Sequence, residues 1–267
     1  MKVLFATDGE EPSARAGALL GRVADPARTE IVVLSVSDFE VAMREAESHH
    51  HYSADEADRA ARHAADEAAE ALRGEGFDHV ESRVEEGDEA ITIVHVAEAE
   101  GFGVLVVGSG KERWRDTVVL GSVSGSIVHA APCPVLVVHD APSGDGPVRV
   151  IVGTDGSGGA TRSIEAFAAF ADPARCEVTI VAAADDGEDA AQGHVEAAGA
   201  VLAAAGFRAQ TAVVPGRAAA VLLEQAEQRE ADLLVIGARG LGRFRAKVLG
   251  SVSDRVVRHA PATFVGR

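Results

Sequence analysis

Short apolar runs alternate with longer amphipathic segments along the whole chain. Runs such as Val-Leu-Val-Val at 104–107 and Thr-Ile-Val-Ala at 179–182 are continuous rather than alternating, which indicates strands buried on both faces of a sheet. Strands are predicted at 2–7, 31–36, 80–85, 104–108, 134–138, 148–154, 177–183, 210–214, 232–237 and 262–265.

Between these runs the apolar residues recur at helical spacing. Helices are predicted at 12–24, 55–74, 88–100, 122–130, 160–171, 188–205, 217–230 and 251–260. Alternating strands and helices predict a doubly wound α/β fold, in which a parallel sheet is covered by helices and the crossovers are right-handed.

The pattern occurs twice. Ala-Asp-Pro-Ala-Arg stands at 24–28 and again at 171–175, a shift of 147, whereas 108–124 matches 237–253 at a shift of 129. The first copy therefore carries 18 additional residues, the difference between the two shifts, most of them at 38–57. An internal repeat of this length predicts two similar units rather than one large domain.

The domain boundaries follow from the repeat and from a stretch of linker composition at 139–147. We predict a first domain at 1–140, a linker at 141–147 and a second domain at 148–267. Each domain is expected to contain a five-stranded parallel sheet flanked by helices.

Composition narrows the class of protein. The 267 residues are 47% hydrophobic, enough for a packed core, and carry a net charge of −17, which argues against non-specific binding to nucleic acid or to anionic membranes. No apolar run approaches the ~20 residues of a membrane span, and the N-terminus does not resemble a signal peptide. Two cysteines give no disulfide framework. A cytoplasmic location is the expectation.

A glycine-rich, basic loop follows the fourth strand of the second copy, at the sheet edge where such folds bind ligands. Gly237 closes the strand, and Gly240 and Gly242 permit a backbone that a Cβ would obstruct. Gly250 precedes Ser251, the expected N-cap of a helix. A helix N-terminus presents unpaired N–H groups and a partial positive charge, which suit a phosphate.

The charge of the same loop supports this interpretation. Arg239, Arg243, Arg245 and Lys247 stand against Asp254 alone, a local net charge of +3 in an acidic chain. The alternative is a flexible, solvated loop without a ligand.

Asp155 ends the first strand of the second copy, at the same edge. Its carboxylate can accept from a ribose hydroxyl or a base amine, or reach a phosphate-bound metal. The alternative is an Asx turn or an N-cap for the next helix, and the two roles are compatible.

The chain resembles a tandem universal stress protein. The nucleotide signature of that family is Gly, two residues, Gly, nine residues, then Gly and Ser or Thr. Gly237, Gly240, Gly250 and Ser251 fit every spacing, and 154–157 and 250–265 are also similar to the family pattern.

This resemblance implies two tandem Rossmann-like domains of the adenine nucleotide alpha hydrolase type that bind ATP, with Mg²⁺ as a companion ion, and that pair through their last strands as an intrachain pseudo-dimer. Association of whole chains into a homo-oligomer is compatible with this pairing. By position, Thr154 and Asp155 are expected to contact the nucleoside, and Ala183 the adenine. The residues expected at the phosphates are Gly237, Arg239, Gly240, Gly250, Ser251, Val252 and Ser253.

The first copy departs from the signature. Lys111 replaces the middle glycine, Gly110 stands one place early, and the loop at 108–122 has a net charge of only +1. Trp114 is interpreted either as a base-stacking residue or as packing between domains. The weaker candidate site comprises Thr7, Asp8, Val36, Gly108, Gly121, Ser122, Val123 and Ser124.

Motifs for catalysis and for metal binding are missing. No Walker A loop, dinucleotide fingerprint or nucleophile elbow occurs, and three consecutive histidines at 49–51 lack the converging geometry of a zinc site. We therefore expect no catalytic residues and no native metal.

The function predicted from the sequence is a stress-response regulator or sensor that binds ATP chiefly in its second half. The alternatives are a nucleotide-free interaction scaffold and a slow ATPase or phosphotransfer enzyme.

Overall fold

The computed structural model describes residues 1–37, 54–110, 112–114, 117–140, 144–185, 187–239 and 249–267. The first half of the chain forms β1 (Lys2–Ala6), α1 (Glu11–Val23), β2 (Glu30–Ser37), α2 (Ala54–Gly74), β3 (Val80–Glu86), α3 (Glu89–Ala99), β4 (Val104–Gly108), β5 (Glu112–Trp114), β6 (Thr117–Val119), α4 (Ser122–Ala130) and β7 (Val135–Val138).

The second half repeats the alternation of strand and helix. It forms β8 (Val148–Gly153), α5 (Gly158–Phe170), β9 (Cys176–Ala183), α6 (Glu188–Ala204), β10 (Ala209–Val214), α7 (Ala218–Gln228), β11 (Leu233–Gly237), α8 (Ser251–His259) and β12 (Ala262–Gly266). These bounds agree with the predicted elements to within a few residues.

Ten strands form one sheet, in the order β10-β9-β8-β11-β12-β7-β4-β1-β2-β3. Five parallel strands come from each half, so the predicted α/β fold is confirmed. The two sets meet where β12 runs antiparallel to β7, with Phe264 opposite Leu136.

Helices cover both faces of the sheet. On one face α1, α2, α5 and α6 enclose an apolar cluster that is continuous across the two halves. Phe264 lies at its centre, with ring centroids 5.8 Å from both Phe167 and Phe170. Burial of each such side chain contributes about 1.5–3 kcal/mol, so this face holds the two halves together.

The repeated Ala-Asp-Pro-Ala-Arg segments meet each other at the junction of the halves. Ala24 and Ala171 form an antiparallel bridge. The amide of Asp25 donates to the carbonyl of Phe170 at 3.1 Å, and the amide of Asp172 donates to the carbonyl of Val23 at 2.9 Å. The motif that identified the duplication is therefore also a contact between its copies.

One element was not predicted. The segment after β4, expected to be a loop, contains the antiparallel hairpin of β5 and β6, in which Trp114 is opposite Thr117. Three β-branched residues in succession, Thr117 to Val119, favour a strand over a loop. The hairpin lies against α8 of the other half.

The first-half insertion is described only from its end. Helix α2 begins at Ala54, and the remainder of the predicted insertion, including the three histidines, lies outside the described residues.

Candidate functional site

The first-half residues expected at a ligand lie together at the carboxyl ends of the strands. They line a cavity of about 200 Å³ between β1, β4, α3 and α4. The predicted residues that it brings together are Thr7, Asp8, Val36, Gly108, Gly121, Ser122, Val123 and Ser124.

Other residues of this cavity were missed by the sequence reasoning. Glu89 and Ile93 of α3 line it, as do the buried Ser13 and Ser109. The sequence gives no local signal for Glu89 or Ile93, because they reach the cavity through the crossover packing of α3.

A chain of hydroxyls fixes the polar end of the cavity. Thr7 Oγ1 donates to Ser13 Oγ at 3.0 Å, and Ser13 Oγ donates to Asp8 Oδ1 at 2.7 Å. The amide of Glu10 also donates to Asp8 Oδ1, at 2.9 Å. The Asp8 carboxylate is thus held by its own turn.

Gly108 is required by packing. A Cβ there would lie 2.3 Å from the carbonyl carbon and oxygen of Pro12, which is shorter than any van der Waals contact. Because the start of α1 sits directly on the end of β4, this glycine has a structural reason that does not depend on a ligand.

The second half builds the same edge from β8 and β11, which are neighbours in the sheet. Thr154 and Asp155 follow β8, and Asp155 Oδ1 accepts from the amide of Ser157 at 3.0 Å. This is the Asx turn of the alternative interpretation. The N-cap of α5 is Ser157, whose Oγ accepts from the amide of Ala160 at 3.2 Å.

The turn after β8 and the segment after β11 touch each other. A Cβ on Gly237 would lie 2.9 Å from the amide of Ala160, and one on Gly159 would lie 2.5 Å from the carbonyl oxygen of Arg239. The amide of Gly250 donates to the carbonyl of Ala238 at 2.9 Å, which brings the start of α8 to the same place. Ala183 ends β9, on the far side of β8.

The prediction that Ser251 caps α8 was wrong by one residue. Gly250 is the N-cap and makes no side-chain capping bond, and Ser251 is the first helical residue. Ser251 and Val252 are exposed. The first turn of α8 therefore keeps main-chain N–H groups that no N-cap side chain satisfies.

Ser253 was expected at the phosphates, and its side chain makes contacts within the fold. It is 3% exposed, and its hydroxyl lies 2.8 Å from the carbonyl oxygen of Gly237 and 3.0 Å from that of Ala238. In the first half, Ser124 Oγ likewise donates to Ser109 Oγ at 3.1 Å. Both side chains bind the helix to the preceding loop, so only their main-chain amides remain for an anion.

Electrostatics at the start of α8 favour an anion. Asp254 is the one acidic residue in the net charge of +3 given above for the loop. It is paired within its own helix, since its Oδ1 lies 2.9 Å from Arg258 Nη2. Hydrogen bonding to Arg258 is the main cause that lowers the pKa of Asp254. The carboxylate is thereby largely neutralised by its own helix.

Arg267 adds a positive charge that the sequence reasoning missed. It follows β12, and burial lowers its pKa, with repulsion from Arg239 as a further cause. The Arg267 guanidinium donates to the carbonyl of Val128 in the first half. The carbonyl oxygen of Arg267 accepts from Arg162 Nε at 3.3 Å. Three arginines therefore surround the end of β11 and β12.

Several predicted residues lie outside the described part of the chain. These are Gly240, Gly242, Arg243, Arg245, Lys247 and, in the first half, Lys111. Trp114 belongs to β5, and both interpretations of its ring stay predictions.

Two further observations concern the described residues alone. They contain no group of three or more His, Cys, Asp or Glu side chains that could hold a metal ion. Among them there is also no helix with both the length and the apolar character that a membrane span requires.

A family model matches most of the chain. Residues 1–139 and 182–265 fit the model described as "Universal stress protein family". A universal stress protein of Mycolicibacterium smegmatis is 32% identical over 200 residues, which cover 68% of this chain and 66% of that protein. One from Methanothermobacter thermautotrophicus is 48% identical over 56 residues, 21% of this chain and 38% of its own. The chain thus spans less than two thirds of these relatives.

Solved structures share the fold over the whole chain. A universal stress protein from Archaeoglobus fulgidus superposes with a TM-score of 0.72 at 23% identity, and the match covers 100% of this chain and 98% of the other. A putative universal stress protein from Pseudomonas aeruginosa gives a TM-score of 0.61 at 17% identity, covering 99% and 92%.

Proposed function

Because the chain belongs to the universal stress protein family, we propose that it binds ATP or another adenine nucleotide, chiefly in its second half, and acts as a stress-response regulator. The observation that carries this proposal is the first turn of α8. Its N-cap, Gly250, supplies no capping side chain, and it adjoins the segments that follow β8 and β11. A helix start of this kind stabilises a phosphate without any catalytic residue.

The charges around α8 support the same ligand. Arg239 and Arg267 lie near each other, and Asp254 is neutralised by Arg258. A polyphosphate would relieve the repulsion between the two arginines. Thr154 and Asp155 would contact the nucleoside, and Ala183 the adenine.

The first half is the weaker site in this proposal. Its cavity of about 200 Å³ is smaller than the ~300–1,000 Å³ of typical ligand pockets. Asp8 and Glu89 line it, and two carboxylates disfavour a polyphosphate. Lys111 also stands where the signature has glycine.

The two halves, divided near residues 140 and 148, act as an intrachain pair through β7 and β12. Nucleotide binding stabilises the liganded arrangement by about 2.7 kcal/mol at a ligand concentration of 100 Kd. Regulation follows from this linkage, with no chemical step.

Calorimetric titration of ATP with Mg²⁺ into nucleotide-stripped protein tests the proposal. We expect about one site per chain, and Gly240→Lys should weaken it at least about tenfold, or about 1.4 kcal/mol. The matched variant is Lys111→Gly, which gives the first loop the glycine that the second already has. It should leave the second site unchanged and add or strengthen binding in the first half.

The remaining functions predict other results. Absence of bound nucleotide and of any heat of binding in the wild type would contradict the proposal and favour a nucleotide-free scaffold. Steady phosphate release that Gly240→Lys abolishes would favour an enzyme. Thermal unfolding of each variant without nucleotide serves as the control for folding.

A further inference from the structure

Equivalent positions at the two candidate sites differ in charge. Helices α3 and α7 are equivalent at a shift of 129 residues, and so are the segments that follow β4 and β11. At this shift the first half has Asp88, Glu89 and Gly110 where the second half has Arg217, Ala218 and Arg239. The net charge at these three positions is therefore −2 in the first half and +2 in the second.

A fourth exchange lies at the junction of the halves. The registers of β4 with β7 and of β11 with β12 make His139 and Arg267 equivalent. Each reaches the last turn of a helix in the other half: His139 Nε2 lies 2.7 Å from the carbonyl oxygen of Val257, and the Arg267 guanidinium donates to the carbonyl of Val128. The second site thus has a permanent positive charge where the first has an imidazole.

The turn after β1 matches the turn after β8. In each turn a glycine amide donates to a threonine Oγ1, at 3.1 Å in the first half and 3.2 Å in the second. Asp8 and Asp155 each accept through Oδ1 from the amide two residues on, at 2.9 and 3.0 Å. Asp8 Oδ2 accepts no hydrogen bond from the described residues. Asp8 therefore presents an acceptor oxygen for a ribose hydroxyl, which is the role expected of Asp155.

The first-half cavity has the lining and size for a nucleoside. The buried Ile93 and Ile127 and the half-buried Val36 supply an apolar wall for a base. Its polar lining includes the buried hydroxyls of Thr7, Ser13, Ser109 and Ser124. The volume of about 200 Å³ is below the ~300 Å³ at which typical ligand pockets begin. A phosphate in this cavity would also lie with the Glu89 carboxylate, and like charges repel.

We propose that the first-half cavity binds adenosine without phosphate groups and selects against nucleotides by charge. The chain then holds the phosphorylated form of a nucleoside in the second half and the unphosphorylated form in the first. The identity of the base rests on the proposed function, whereas the selection against phosphate rests on the charge exchanges between the halves.

Calorimetric titration of adenosine, AMP and ATP into nucleotide-stripped Gly240→Lys protein tests this assignment. The substitution disables the proposed phosphate site of the second half, so that it does not mask binding in the first. We expect one adenosine site, and at least about tenfold weaker binding of AMP and of ATP with Mg²⁺.

A matched pair of variants shows which half holds the adenosine. Val36 and Ala183 are equivalent at the shift of 147 that aligns β2 with β9. In the Gly240→Lys protein, Val36→Phe adds bulk to the first-half cavity and should abolish adenosine binding, whereas Ala183→Phe should leave it unchanged. Thermal unfolding of both variants shows whether a loss of binding reflects a loss of fold.

A gain of nucleotide binding tests the charge argument without relying on a loss. Glu89→Ala with Gly110→Arg introduces the residues of the second half, and a Cβ on Gly110 would meet only Pro12 Cγ, at 3.9 Å. The affinity for AMP relative to adenosine should rise at least about tenfold, or about 1.4 kcal/mol. The control, Glu196→Ala with Gly193→Arg, makes the same change of net charge on the exposed side of α6 and should leave this ratio unchanged.

Three results would overturn the assignment. They are adenosine binding that is absent or that Ala183→Phe removes instead of Val36→Phe, equal affinity for AMP and adenosine in the Gly240→Lys protein, and an equal rise of the ratio in the control pair. The proposed function fails separately. Adenosine binding in the first half of a chain that binds no ATP would contradict the proposed function alone, and ATP binding without adenosine binding would remove this assignment alone.

Discussion

Glycines at the ends of β4, β11 and β12 are used for close packing. A Cβ on Gly266 would lie 2.2 Å from Ser163 Cβ. Ser163 Oγ accepts from the amide of Gly266 at 3.0 Å and donates to the carbonyl of Ile236 at 2.8 Å. Helix α5 is thus fixed to two strand ends by a single buried hydroxyl.

Replacement of Gly266 by alanine is expected to destabilise the protein by about 1–3 kcal/mol, because the added methyl group overlaps Ser163. The measurement is urea unfolding. Gly193→Ala is the matched control: no heavy atom lies within 4 Å of its added Cβ, and alanine inside α6 should stabilise by about 0.5–1 kcal/mol. Equal effects of the two variants would contradict the packing argument.

The ends of β4 and β11 and their glycines were predicted from the sequence, whereas Gly266 was not. The sequence pattern did not distinguish packing from ligand contact. Gly108 and Gly237 fit a nucleotide signature, and both also meet the backbone of a helix start. Ser253 was likewise expected at the phosphates, while its hydroxyl donates to the carbonyl groups of Gly237 and Ala238. Both functions require the same residue types, so spacing alone cannot separate them.

At the scale of elements, α8 combines an N-terminus to which we assign the proposed phosphate site with an internal ion pair. Asp254 and Arg258 are one turn apart, and their side chains are 38% and 35% exposed. Hydrogen bonding in this pair is the main cause that lowers the pKa of Asp254. The pair stabilises the helix that carries the proposed phosphate site.

Asp254→Asn is expected to lower stability at pH 7 by less than about 1 kcal/mol, since the pair is partly solvated. A carboxylate whose pKa is lowered by folding contributes above its unfolded pKa of about 3.9 and loses that contribution as the pH falls through the lower, folded value. Urea unfolding of wild type and variant should therefore converge as the pH falls from about 5 to about 2.

Arg258→Gln provides the matched test. At pH 7 the loss of stability in Arg258→Gln should resemble that in Asp254→Asn. The double variant should be no less stable than either single variant. Additive losses would mean that the two side chains act separately.

Most helices and strands were predictable because the spacing of apolar residues that indicates them is a local property of each segment. The hairpin of β5 and β6 was not, since the glycine signature around it suggested a loop. The contact between the Ala-Asp-Pro-Ala-Arg segments was not predictable either. It joins residues 147 positions apart, and no local pattern reports such a distance.

At the scale of the whole molecule, one apolar cluster runs through both halves. It includes Phe5 and Leu72 of the first half and Phe167 and Phe264 of the second. The junction adds main-chain bonds, and Arg175 Nη1 donates to the carbonyl of Gly21 at 2.7 Å. Residues of both halves therefore bury this face together.

Calorimetry should therefore show one cooperative unfolding transition for the full chain. Phe264→Ala should cost about 3–5 kcal/mol and lower the single transition as a whole, because the ring is 0% exposed and contacts α5 at the junction. Two resolved transitions in the wild type would show that the halves unfold independently.

The antiparallel pairing of β7 with β12 has a consequence for inheritance. When two identical chains associate, every mutation appears in both subunits. A change that suits the binding site of one subunit is therefore also present in the binding site of the other. Covalent fusion removes that constraint. Lys111 stands at the position of the first copy that corresponds to Gly240 in the second, and a pair of identical chains cannot hold such a difference. The fused chain can keep one ancestral pocket while the other evolves under separate selection.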